Sequence, residues 1–220
     1  MALACYQQAQ AADPGNAEVR HGLGFVRMSA GMDSLAEATL EGALAVDPAR
    51  AITLETLSRI AYRTGRFDVA RHWLDSAVVV DPGFAWAYVS RARVRLAQGD
   101  VTGALVDAET AGRLAPGGTW FDFVRAIVLA CAGRRAEAEV ALRQGEASSV
   151  DVLETPTIGP FHAAALLALG RRDDALAALE RIQPRAYELW GSVRAPEFDA
   201  IRADPRFQRL VAESRPQVTR

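Results

Sequence analysis

The chain has no lysine, a single asparagine (Asn16), and only two cysteines among 220 residues. Cys5 and Cys131 lie too far apart in sequence and are too few for a disulfide framework or a cysteine-based zinc site. Without lysine there is no phosphate-binding loop of the Gly-rich Lys-Ser/Thr kind. Neither sign of charge is in large surplus: the formal charge is −2 and the pI about 6.0, so a general electrostatic grip on nucleic acid or on an anionic membrane is not expected. No apolar run approaches the roughly 18–20 residues of a membrane span. The opening MALACYQQAQ lacks the positive flank and long apolar stretch of a signal peptide, which points to a cytoplasmic location. All 25 basic residues are arginine and alanine is abundant, a bias that suggests a GC-rich bacterial coding sequence.

Two punctuation marks share one period. Proline closes a segment at Asp13-Pro14, Asp47-Pro48, Asp81-Pro82 and Ala115-Pro116, a step of 34 residues each time. Glycine recurs on the same step at Gly31, Gly65, Gly99 and Gly133. Such a fixed period is the signature of a stacked repeat. Within each unit glycine ends a first helix in the left-handed conformation, and proline stops a second. The first unit thus predicts helices over 17–30 and 33–46. Small residues hold fixed slots: Gly24, Ser58, Ala92 and Ala126 at the eighth, Ala36, Ala70, Ala104 and Ala138 at the twentieth, Ala43, Ala77, Ala111 and Gly145 at the twenty-seventh. Small side chains there permit close helix approach, and Leu23, Leu40, Leu57, Leu74 and Leu142 flank them. One hairpin cannot cover its own apolar face, so successive hairpins stack.

This pattern resembles the tetratricopeptide repeat, a 34-residue helix–turn–helix unit. Residues 85–116 match it best, with Tyr88 in the early aromatic slot, Gly99-Asp100 at the turn and Pro116 at the end. The resemblance implies an all-α, right-handed superhelical solenoid over residues 1–184. Its parts are a half repeat at 1–16, repeats at 17–50, 51–84, 85–118, 119–152 and 156–184, capping helices at 185–213, and a tail at 214–220. Unit four has Val150 where proline is expected, about three residues are inserted around Glu154 to Pro156, and Pro184 closes unit five early. The stack is expected to bend or loosen there. Residues 2–14 fit only a second helix. Either a longer protein supplies its partner upstream, or a homodimer contact covers it. Phe198, Ile201, Phe207, Leu210 and Val211 form one apolar stripe that closes the far end, with Asp204 as an N-cap before Pro205. The stretch 196–211 resembles the endings of bacterial repeat regions attached to kinases, cyclases or winged-helix regulators.

No catalytic constellation or cofactor motif is evident. His21, His72 and His162 sit in separate units with no metal-ligating neighbour at helical spacing. His21-Gly-Leu-Gly-Phe25 follows no strand and is not a dinucleotide loop. Asp173-Asp174 reads as the acidic start of a helix, and Cys131 as an inert core thiol.

The resemblance implies that first helices line the concave face. That places Phe25, Arg59, Tyr62, Arg63, Trp86, Arg93, Trp120 and Phe123 in a peptide-binding groove, alongside His21, Glu55 and Val89. Arginine holds carboxylates with paired hydrogen bonds, and aromatic faces supply area at low entropic cost. Two readings of the arginines stand: a site for a protein or peptide partner bearing acidic and aromatic residues, or cations paired with neighbours such as Glu55. Trp86 and Trp120 divide likewise between groove and packing. Arg91 and Arg95 read as snorkelling stems. The lysine–asparagine–arginine clamp that related repeats use on chaperone C-termini has no counterpart. The expected function is a non-enzymatic scaffold or adaptor for protein–protein interaction. The alternative is the sensor or regulatory region of a larger signalling protein.

Overall fold

The structure, a computed structural model, describes residues 2–148, 152–182 and 187–215. No strand occurs among them, and no helix among them is long and apolar enough to cross a membrane. After α1 (Ala2–Ala12) come four hairpins: α2 (Ala17–Ser29) with α3 (Asp33–Val46), α4 (Ala51–Arg63) with α5 (Phe67–Val80), α6 (Ala85–Ala97) with α7 (Val101–Leu114), and α8 (Thr119–Cys131) with α9 (Arg135–Ser148). A shorter hairpin follows, α10 (Gly159–Ala168) with α11 (Arg172–Arg181). Then come α12 (Tyr187–Ser192), a 3-10 helix over Pro196–Ile201, and α13 (Pro205–Ser214).

Local chemistry sets the helix ends. Asn16 Oδ1 accepts from the amides of Glu18 and Val19, capping α2. At the other end Gly31 has φ +76°, and the Met32 amide reaches back to the Arg27 carbonyl at 2.9 Å, closing the exposed carbonyls of the last turn. Gly65, Gly99 and Gly133 repeat this at +76°, +81° and +75°.

Each first helix packs on its own second helix and on the first helix of the next unit, so spatial neighbours follow chain order. Ala36, Ala70, Ala104 and Ala138 are fully buried, as are Leu40 and Leu74. Where the helices pack most closely, a methyl group would not fit. A Cβ on Gly24 would stand 2.6 Å from Leu40, and one on Gly145 would stand 2.7 Å from Phe123.

Among the described residues, the start of the fifth hairpin is packed against the fourth rather than loose. Ile158, Gly159 and Pro160 are buried, and His162 Nε2 lies 2.9 Å from Glu146 Oε1. The expectations at Val150, at Pro184 and for residues 216–220 lie outside the described residues. Ser214, placed by the sequence in a tail, instead ends α13, is buried, and donates to the Leu210 carbonyl at 2.8 Å. Cys131 is the last residue of α8 and is exposed, so it is not a core thiol.

Asp204 caps α13 through the Arg206 amide. Phe198 stacks on Phe207 with centroids 5.8 Å apart, and Arg206 holds Glu180 of α11 through two bonds. The C-terminal segment does more than close this end. α12 reaches α2, and Trp190 lies so close to the turn at Gly31 that a Cβ there would stand 2.3 Å from the indole ring. Arg194 sits over the Trp190 ring at 4.4 Å and pairs with Asp33 at 3.1 Å. Residues 189–198 thus form an arm from the end of the stack back to its first full hairpin.

Candidate functional site

The first helices α2, α4, α6, α8 and α10, with the arm, line a partly open cavity of about 570 Å3. Seven of the eight residues expected in the groove lie on it with graded exposure: Phe25, Trp86 and Trp120 are half-buried, Arg59 is exposed, and Tyr62 and Arg63 are held more tightly. Arg93 also lines it, but from a nearly closed position.

Phe123 does not. It is 0% exposed and packs into the space left by Gly145, 5.4 Å from the His162 ring. Val89, in the same slot of its unit, is likewise buried and off the cavity, whereas His21 and Glu55 in that slot line it and also bond the next hairpin. His21 Nδ1 lies 3.1 Å from Thr53 Oγ1, and Ser90 Oγ donates to Glu55 Oε1 at 2.7 Å.

The arginines divide. Arg63 donates to the Met28 carbonyl at 2.8 Å and pairs with Asp33. Burial lowers its pKa against the pull of Asp33, with Arg194 and Arg59 adding to the lowering. Arg93 donates from Nε to Glu197 Oε1 at 2.6 Å, with its guanidinium 5.0 Å from the Tyr62 centroid and 5.2 Å from that of Phe161. Burial works against its charge, but Glu197 and Tyr62 outweigh it and its pKa is raised. Both arginines are thus matched by the chain's own carboxylates and do not await an external acid. Arg59 differs. Its guanidinium lies 5.7 Å from the Phe25 centroid, and it has no hydrogen-bond or ion-pair partner among the described residues. Burial raises the pKa of Glu55, one turn earlier on α4, against the opposing influence of Arg59.

The wall opposite Phe25 is aromatic. Trp86 meets Trp120 edge to face at 5.4 Å and Phe161 at 6.3 Å. The Trp120 indole N–H is buried with no acceptor among the described residues. Phe161 and Glu197 belong to this site but carry no repeat signature. Glu197 is 104 residues from Arg93, and no local pattern in the sequence announces the pair. Arg91 and Arg95 are not snorkelling stems either: both bond the buried Asp107. Among the described residues no group of three histidine, cysteine, aspartate or glutamate side chains is placed to hold a metal ion.

Burial, followed by Arg50, lowers the pKa of His21 from its ordinary 6.5 to about 4, and burial lowers that of His162. Protons then bind the unfolded chain in preference, so the stability from neutral His21 is complete above about 6.5 and is lost as pH falls toward 4. Thermal midpoints should fall over that window, and His21→Gln should flatten the slope. An unchanged slope in that variant would show that His21 is not a source of it.

The architecture is therefore a solenoid of helical hairpins whose concave face is partly roofed by its own C-terminal arm. Residues 34–83 and 55–119 match the family model described as Tetratricopeptide repeat. That stretch carries tetratricopeptide repeats, and the described chain has the all-helical solenoid fold of such proteins. Among solved structures it is similar to TTC0263, a thermophilic repeat protein of Thermus thermophilus, with TM-score 0.65 and 22% identity over 90% of this chain and 98% of that one. PilW, described as a widely conserved type IV pilus biogenesis factor, gives 0.63 and 19% over 84% and 86%. YrrB, described as a repeat protein with an unusual peptide-binding site, gives 0.55 and 14% over 92% and 94%. No curated protein gives a significant sequence match.

Proposed function

We propose that the protein is a non-enzymatic scaffold that binds a protein partner through its concave face. Proteins built from tetratricopeptide repeats serve as interaction scaffolds, and the peptide-binding site ascribed to YrrB supports the same use here. The observation that carries the reading is Arg59, a cation with no hydrogen-bond or ion-pair partner among the described residues, on the ring of Phe25 in the lining of an aromatic cavity. A peptide segment places an acidic residue on Arg59 and apolar or aromatic residues against Phe25 and Trp86, where aromatic anchors and arginine contribute most of the binding energy. The location is cytoplasmic and the source bacterial. A second copy of the chain docking on α1 remains the reading for a homodimer, which light scattering across concentrations tests. The sensor reading, as part of a longer signalling protein, gains its support from the arm, which turns an open groove into a chamber.

The test is charge reversal at an exposed position. In fluorescence anisotropy against a panel of acidic, aromatic-bearing peptides, Arg59→Glu should weaken binding about tenfold or more, equivalent to roughly 1.4 kcal/mol, with unchanged circular dichroism. Undiminished binding would remove the groove model.

A further inference from the structure

Roofing changes what the concave face can accept. A peptide lying along all the repeats meets the arm, which crosses from the 3-10 helix at Glu197 to Trp190 beside Gly31. A compact ligand does not need to displace it. The cavity volume, about 570 Å3, falls within the roughly 300–1,000 Å3 of small-molecule sites.

The charges around it do not cancel. Arg63 and Arg194 share one carboxylate, Asp33. Arg93 takes Glu197, and Arg59 takes none among the described residues. Glu55, 5% exposed and accepting from Ser90, also lines the cavity, so these four arginines stand against three carboxylates. In a partly enclosed cavity of low polarity that excess favours an anion over a neutral guest. The rest of the lining is chiefly aromatic. Trp86 meets Trp120 edge to face and Phe161 at a tilt, and all three present aromatic surface to the cavity.

We propose that the chamber binds a small organic carboxylate with an aromatic body, the carboxylate on Arg59 and the ring against Trp86 and Phe161. This goes beyond the scaffold reading and does not require a protein partner. The same chemistry is carried by a free acid and by a peptide ending in an aromatic residue, and the commitment here is to the free acid.

Isothermal titration of the full chain with 3-(indol-3-yl)propanoate, its isosteric amide, and an N-acetylated tripeptide ending in free phenylalanine separates the cases. The acid should bind saturably and raise the thermal midpoint. The amide should bind at least tenfold more weakly. Arg59→Gln should abolish that preference while keeping wild-type circular dichroism. Equal affinity for acid and amide, undiminished acid binding by Arg59→Gln, or no saturable acid binding would each overturn the proposal. So would binding of the tripeptide without binding of the free acid, which would assign the chamber to a chain end. Failure of the peptide panel bears on the scaffold reading alone, since the titration contains no partner.

Discussion

Replacing Asp107 with alanine should lower stability by about 3 kcal/mol, near the bottom of the roughly 3–5 kcal/mol range for removing one partner of a buried charge pair. Asp107 is 1% exposed and lies on α7. Its two oxygens take Arg91 at 3.0 and 2.8 Å, and Oδ2 also takes Arg95 at 2.9 Å. Both arginines belong to α6, so one carboxylate pins the two helices of the third hairpin together. The loss stays near the lower limit because each arginine keeps a second acceptor: Asp75 at 2.9 Å for Arg91 and the Gly103 carbonyl at 2.8 Å for Arg95. The thermal midpoint should fall by on the order of 10 °C. Asp75 is the control. It is half-exposed, and solvent screening limits its pair to about 0–1 kcal/mol. Equal effects of Asp75→Ala and Asp107→Ala would refute the assignment of the strong pair to Asp107.

The second large effect concerns the arm. Glu197→Ala removes the partner of Arg93, which is packed against Tyr62 and Phe161 and has little access to water. A buried unpaired guanidinium is costly, and the chain has one escape: releasing the arm to hydrate it. The cost is then capped by the free energy of docking the arm. Amide exchange over residues 189–201 should therefore accelerate about tenfold to a hundredfold, equivalent to roughly 1.4–2.8 kcal/mol of opening. The helices from α2 to α9 should stay protected. Gly31→Ala should act in the same direction from the far anchor, since alanine at φ +76° is strained and its methyl group collides with Trp190. Uniform loss of protection along the whole chain in both variants would mean that the arm cannot open separately.

The repeat is legible residue by residue because its determinants are local. Gly31 ends α2 and Pro48 stops the chain after α3 whatever lies elsewhere, and Ala36 and Leu40 repeat in phase with them. The groove was only partly legible for the same reason. Repeat position indicates which helix lines the concave face but not what else arrives there. Phe123 occupies a groove slot, yet Gly145 opens a space that draws its ring inward toward His162. Arg63 and Arg93 stand in the expected row with Arg59, yet Asp33 and Glu197 match them while Arg59 has no such partner among the described residues.

Sequence alone determined the period, the hairpins and the stacking, because each follows from backbone preference and apolar pattern within a few tens of residues. Tertiary structure alone decided which arginines pair with the chain's own carboxylates and that the concave face is partly roofed. Those outcomes depend on Glu197, Arg194 and Trp190, which return from beyond the repeats to the first three hairpins. A contact over such separations leaves no periodic mark in the chain, since it is selected by shape and charge only once the stack exists.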